Sequence, residues 1–134
     1  IAKTARKSLH KRLHRVRRLG ERIEDLTVPE RHEMRIALKR LRYASDFLQS
    51  CFERKSASRY LAALSRLQDV FGELNDAAMA EQMVGHLVAD GPAAPDLARA
   101  GGVVTGWHMA LSVKLWADAR KRWRRFASVK PFWR

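Results

Sequence analysis

This sequence predicts an all-α fold, an antiparallel four-helix-bundle-like domain built from long amphipathic helices. Three observations predict it. Apolar residues recur at spacings of three and four along most of the chain, the period of a helix with one buried face. Strand-like alternation of apolar and polar residues is missing. The four prolines, Pro29, Pro92, Pro95 and Pro131, fall where helices would have to end. Short connections between amphipathic helices make neighbours antiparallel. A length of 134 residues suits one core, so residues 1–134 read as a single helical domain, with no internal repeat.

Periodicity places helices at about 1–26, 28–53, 57–74, 76–89 and 96–128. Thr27-Val-Pro-Glu30 has the form of a capping box, with proline in the first turn. Ser56 is positioned to cap the third helix, and Asn75-Asp76 to end it and cap the fourth. Gly91-Pro-Ala-Ala-Pro95 is a loop by composition. Gly101, Gly102 and Gly106 are awkward inside a helix, where each costs about 1 kcal/mol relative to Ala. They mark either an irregular segment or a close approach of two helices. Cys51, late in an amphipathic run, reads as core. The tryptophans Trp107, Trp116, Trp123 and Trp133, at intervals of 9, 7 and 10, also read as core.

Charge narrows the function. The chain carries 27 Lys and Arg against 14 Asp and Glu, a net +13. Residues 1–42 hold 14 basic and 5 acidic residues, residues 43–112 hold 5 and 8, and residues 113–134 hold 8 and 1. Two basic ends around an acidic middle imply a positive face and a polyanionic partner. A single cysteine excludes an internal disulfide, in keeping with a reducing compartment. No run approaches the roughly 18 apolar residues of a membrane span, and no signal peptide is visible. The chain begins at Ile1 rather than Met, which reads as an excised or partial domain.

The basic residues are ordered. At 100° per residue, Ala5, Leu9, Leu13, Val16, Leu19 and Ile23 gather on one side of the first helix. Lys3, Lys7, Lys11, His14 and Arg18 form a ridge at spacings of 4, 4, 3 and 4, with His10 beside it. At 1.5 Å per residue that ridge is roughly 22 Å long. On the second helix Met34, Leu38, Leu41, Ser45 and Leu48 face the core, and His32, Arg35, Lys39 and Arg42 follow at spacings of 3, 4 and 3 on a neighbouring face. Tyr43 and Phe47 add a second apolar flank. Like charges at i,i+4 repel by a few tenths of a kcal/mol per pair, and solvation alone gives no reason to stack them in register. Packed antiparallel, the two helices are expected to line one groove with these cations, which Lys114, Lys121 and Arg125 of the last helix, with His10, would extend.

His10 and His14 have the i,i+4 spacing of a metal pair. Lys7, Lys11 and Arg18 surround them, however, and no Cys or carboxylate shares that face. No metal or cofactor is expected. The chain shows no carboxylate cluster for Mg²⁺, no glycine-rich phosphate loop, and neither an HExxH nor a Ser-His-Asp pattern. No enzyme activity is expected.

Two motifs carry a resemblance. His32-x-x-Arg35-x-x-x-Lys39-Arg40-Leu41-Arg42-Tyr43, followed by Leu64-x-x-Leu67-Gln68-Asp69-x-x-Gly72-x-x-Asn75-Asp76, resembles the conserved-histidine α-helical (CHAD) domain. The terminal Trp123-Arg-Arg-Phe126 and Lys130-Pro-Phe-Trp133 are similar to the end of such domains. The resemblance implies two similar four-helix-bundle halves about a basic surface, binding of inorganic polyphosphate, and frequent fusion to a triphosphate-tunnel (CYTH) phosphohydrolase domain. The family's basic and histidine positions match Lys7, Lys11, His14 and Arg18 on one helix and His32, Arg35, Lys39 and Arg42 on the next. Gln68, Asn75 and Asp76 match the second motif, where a structural role suits them better than ligand contact. A full CHAD domain is longer, so the chain resembles its C-terminal half. That leaves room for a homodimer, for association with the other half, and for a fused CYTH domain. The expected location is cytoplasmic, on polyphosphate granules, with no membrane partner. The alternatives are a nucleic-acid-binding helical module and a non-catalytic accessory half of a CYTH-type triphosphate phosphohydrolase.

Overall fold

Each helix exists because it has one stripe to bury. The computed structural model describes residues 1–90 and 95–134. Helix α1 spans Ala2–Gly20, α2 Val28–Leu48, α3 Arg54–Asp90 and α4 Pro95–Ser128. Among the described residues there is no strand, so the fold is all-α and bundle-like. The α1 stripe of Leu9, Leu13, Val16 and Leu19 is buried, as are Met34, Leu38 and Leu41 of α2 and Leu64, Leu67 and Val70 of α3, in one hydrophobic cluster with Ala119 and Phe126 of α4. Burying side chains of this size stabilises by roughly 1.5–3 kcal/mol each.

The helices form two layers. α1 and α2 run antiparallel: Arg15 reaches Glu33 at 2.6 Å, and Ile1 shares a groove with Phe47 and Leu48. α3 and α4 form an antiparallel hairpin, with Phe71 edge-on to Trp116 at 5.9 Å and Gly101 against Val84 and Val88. The first layer is seated on the second by Arg42 on Gln68, Arg31 over Trp116, and Gly20 against Trp123. α3 and α4 have 37 and 34 residues against 19 and 21 for α1 and α2. At 1.5 Å per residue the hairpin is about 50–55 Å long and the first layer about 30 Å. One end of the hairpin therefore projects beyond α1 and α2.

The chain end closes the other side of the core. After α4 it turns back, and Phe132 and Trp133 are buried. Tyr60 lies 5.0 Å from Trp133, 5.2 Å from Phe126 and 5.6 Å from Phe132, in tilted and edge-on contacts. Burial among these rings pushes the Tyr60 phenol well above its ordinary pKa, against the weaker opposing pull of the Arg17 charge.

Several expected boundaries shift. The first helix stops at Gly20, where Trp123 fills the space a side chain would need, and a 3₁₀ turn at Ile23–Asp25 follows. Another 3₁₀ turn, Gln49–Cys51, ends α2, and there Cys51 is exposed rather than core. Asn75 and Asp76 break nothing, since α3 runs unbroken through them. Buried Ala77 and half-buried Leu74 keep the stripe going, and packing on α4 outweighs the weak local preference of Asn and Asp for a helix end. α3 starts at Arg54, so Ser56 is inside its first turn, and its hydroxyl donates to Glu53 rather than capping the helix. Residues 101–106 are regular helix: Gly101 admits the Val88 side chain, whereas Gly102 and Gly106 face open space. Of the tryptophans, Trp123 and Trp133 are core and Trp116 is half-buried, but Trp107 is 62% exposed. The loop expected at Gly91–Pro95 lies, except for Pro95 at the start of α4, outside the described residues.

The capping box at α2 forms as expected. The Glu30 N–H donates to Thr27 Oγ1 at 3.3 Å, and the Thr27 N–H donates to Glu30 Oε1 at 3.2 Å. The Thr27 backbone bond, then its hydroxyl, then Arg22 at 2.7 Å hold the Glu30 carboxyl below its ordinary 4.5. A depressed carboxylate pKa contributes stability above the unfolded value, and that contribution is lost as pH falls through the folded one. Urea midpoints of wild type and Glu30→Gln should therefore differ by a constant amount above about pH 5.5 and converge on acidification; parallel curves down to pH 3 would contradict the assignment. The glycines give a second expectation, read by the same denaturation. Gly20→Ala drives a methyl into the Trp123 ring and should cost about 1–3 kcal/mol. Gly72→Ala, which meets nothing within 4 Å, should stabilise by up to about 1 kcal/mol.

Candidate functional site

Burial of the α1 stripe turns its opposite side outward, and that side carries the cations. Lys3, Lys7, Lys11, His14 and Arg18 are all exposed. The first turn of α1 holds no acidic residue. Lysines near a helix N-terminus oppose the macrodipole, a cost of a few tenths of a kcal/mol each, and the i,i+4 repulsion adds to it. On α2, His32 and Lys39 are exposed and Arg35 and Arg42 half-buried. Arg42 is held: Nη1 donates to Gln68 Oε1 at 3.0 Å, and Nε lies 3.8 Å from Asp46. Lys39 Nζ sits 5.7 Å from the Tyr43 ring.

Compensation is what the ridges lack. The ion pairs among the described residues are Arg15–Glu33, Arg22–Glu30, Arg42–Asp46, Arg120–Glu24 and Arg122–Asp118. Of the nine ridge residues, only Arg42 therefore has a carboxylate within 4.0 Å. The other four pairs engage arginines outside the ridges.

The two ridges do not line one groove, as their spacing suggested. The α1–α2 seam is a groove of about 790 Å³ lined by Ile1, Ala5, Tyr43, Ala44, Phe47 and Leu48, with Arg12 and Arg40. α2 faces α1 through Glu33, Arg40, Ala44 and Phe47, about 140° round the helix from the His32–Arg42 ridge. α1 faces α2 through Thr4, Ser8, Arg12 and Arg15, about 90° from its own ridge. The ridges are therefore the two outer banks of an amphipathic seam. Arg12 and Arg40, which the spacing pattern passed over because they sit toward the apolar side of their helices, are the cations between the banks. Tyr43 and Phe47, expected as an apolar flank, are 60% and 84% exposed there.

The remaining sequence candidates separate. His10 is a structural partner: its Nδ1 accepts from Trp133 Nε1 at 3.0 Å, which leaves the ring proton on Nε2. Lys114, Lys121 and Arg125 are exposed, but α4 meets the first layer through Trp116, Arg120 and Trp123. They project from another side of α4 and are not brought beside the α2 ridge. Arg31, four residues before Arg35, stacks 4.5 Å over Trp116 and donates to the Leu26 carbonyl. With His32 and Arg35 it rims a second groove, of about 1090 Å³, against α3 and α4. The described residues hold no group of three or more His, Cys, Asp or Glu placed to bind a metal ion. Among them, no helix is long and apolar enough to cross a membrane.

A family model described as the CHAD domain matches residues 1–85. The chain belongs to the CHAD family. The matched residues include both cationic ridges and Gln68, which positions Arg42. They stop short of the terminal Trp123–Trp133 run, so the likeness at that end lies outside the match. No curated protein matches the chain.

If the CHAD ridges are free of structural duties, their truncation should cost little. Arg35→Ala and Lys39→Ala are expected to change stability by no more than about 0.5 kcal/mol. Arg42→Ala, which strands Gln68, should cost about 1 kcal/mol. Chemical denaturation checks both, and equal losses at all three positions would contradict this division of roles.

Proposed function

We propose that this CHAD chain binds inorganic polyphosphate through the α1 and α2 ridges, and performs no chemistry on it. The observation that carries the reading is the unpaired state of Lys3, Lys7, Lys11, His14, Arg18, His32, Arg35 and Lys39, none of which has a carboxylate of the described residues within 4.0 Å. A polyanion recovers the electrostatic energy that the fold gives up by stacking these groups. Arginine offers a planar fork to phosphate oxygens and lysine a movable point charge. Each turn of a ridge presents one cation, which suits a ligand with about one negative charge per repeating unit. The banks bind separate stretches of one flexible chain, and Arg12 and Arg40 carry it across the seam. Any catalysis would belong to a partner such as a fused CYTH domain, and the role of this chain would be to hold the polymer or to bring a host protein to polyphosphate granules.

One observation favours a second reading. Tyr43 and Phe47 lie exposed between the cationic banks, the arrangement by which single strands of nucleic acid are held, with bases stacked on rings. Competition separates the two. On the polyphosphate reading, long-chain polyphosphate displaces single-stranded DNA or RNA at equal phosphate concentration, and Tyr43→Ala with Phe47→Ala leaves polyphosphate affinity within about twofold, since that ligand has no bases to stack.

Titration with long-chain polyphosphate at two salt concentrations is the direct test. Affinity should fall steeply with salt as counterions are released. Changing Lys7, Arg35, Lys39 and Arg42 to Ala should weaken binding and flatten the log–log salt slope by roughly one for each phosphate-neutralising cation removed. Unchanged affinity and slope in that variant would refute the site.

A further inference from the structure

The α2 ridge opens at one end into the second groove. His32 and Arg35, the first residues of the ridge, stand there with Arg31 on the α2 wall. The surface contributed by α3 and α4 is largely apolar, with Phe71, Leu74, Met79, Met109, Val113 and Trp116. Met79, Met109 and Val113 are 61%, 59% and 71% exposed. One lining residue is a carboxylate: Glu81 of α3, which is half-buried.

Neither wall is neutralised. Among the described residues, Arg31, His32 and Arg35 have no carboxylate within 4.0 Å, and Glu81 has no Lys, Arg or His within that distance. Arg31 is nevertheless fixed. Its Nε donates to the Leu26 carbonyl at 3.2 Å and its guanidinium lies 4.5 Å from the centre of the Trp116 ring, which leaves its terminal nitrogens to donate elsewhere. The groove thus presents cations from α2, a lone acceptor from α3 and apolar surface beside both.

These three features select a ligand. Bare polyphosphate meets the cations but gains nothing from the floor. An alkyl amphiphile meets the cations and the floor, but its tail would cover the Glu81 carboxylate without a hydrogen bond, which is costly. A nucleoside polyphosphate meets all three. Its phosphates suit Arg31, His32 and Arg35, the faces of its base suit an apolar floor, and an amino group on the base donates to Glu81. We infer that the groove binds a nucleoside triphosphate with an amino-bearing base, its phosphates on the start of the α2 ridge and its base over Met79, Met109 and Trp116. The inference rests on the polyphosphate reading of that ridge and extends it to a second phosphate-chain ligand. The volume of about 1090 Å³ is at the upper end for small-molecule sites, roughly 300–1,000 Å³. The lining runs along α3 from Phe71 to Gln82, roughly 16 Å of helix, so base and phosphates lie end to end.

Titration calorimetry of the whole chain with ATP, UTP and inorganic triphosphate, at low salt and without Mg²⁺, tests this. Charge alone ranks inorganic triphosphate at or above ATP, because its charge is at least as great and more compact. The groove reverses that order: ATP should bind about tenfold or more tighter than triphosphate. UTP should bind about fivefold or more weakly than ATP, since uracil turns a carbonyl toward Glu81 where adenine turns an amino group. Met79→Ser with Met109→Ser, both at exposed positions, should bring ATP down to the affinity of triphosphate. Triphosphate affinity itself should stay within about twofold in that variant, which also shows that it is folded. Glu81→Gln, whose amide offers either a donor or an acceptor, should bring ATP and UTP within about twofold of each other. Triphosphate binding as tightly as ATP overturns the proposal, as does a failure of ATP to bind. So does a preference for ATP that both variants leave unchanged, because the base then sits elsewhere. The two readings fail separately. If long-chain polyphosphate binds and ATP has no advantage over triphosphate, the groove assignment falls and the ridge stands. If ATP is preferred by a chain that long-chain polyphosphate does not bind, the ridge reading falls and the groove stands.

Discussion

Burial of the α1 stripe against α2 and the chain end is the constraint from which the outer surface follows. A helix offers one rotation at which Leu9, Leu13, Val16 and Leu19 are all inside, and they are. At that rotation Lys3, Lys7, Lys11, His14 and Arg18 have nowhere to point but outward. The apolar contribution, a few kcal/mol per large side chain, exceeds the tenths of a kcal/mol lost to each like-charge pair. The core therefore holds a charge arrangement that an isolated helix would disfavour.

The same logic explains where the carboxylates go. Glu33, Glu30, Glu24 and Asp118 are engaged by Arg15, Arg22, Arg120 and Arg122 at the joins between elements or within α4. Surface pairs of this kind contribute little stability. Their larger effect is on the field: these four carboxylates sit beside arginines outside the ridges, and among the described residues Asp46 beside Arg42 is the one acidic partner within them. Gln68 differs from them, a neutral acceptor that orients Arg42 without cancelling it. The CHAD match extends through that residue, which ties the second motif to the first by a hydrogen bond between α3 and α2.

Helix identity, the α2 capping box and both ridges are legible in the sequence because they depend on spacing along one element. The Asn75-Asp76 boundary misleads because a local preference worth a fraction of a kcal/mol competes with packing along all of α4, which sequence spacing does not reveal. Cys51 and Trp107 mislead for a related reason. A residue at an apolar position is buried only if another element reaches it, and no element of the described residues covers Cys51 in its 3₁₀ turn or Trp107 on the projecting part of α4.

What the sequence by itself determined is the content of each helix: which residues face in, which carry charge, and in what order along the axis. These follow from the 3.6-residue period and need no partner. Only the tertiary structure decided how the helices are turned toward one another. It set the ridges on either bank of an apolar seam instead of face to face, placed Arg12 and Arg40 between them, gave His10 to Trp133, and left one side of the hairpin bare. The relative rotation of packed helices is fixed by the fit of their side chains in three dimensions, and no single helix carries that information.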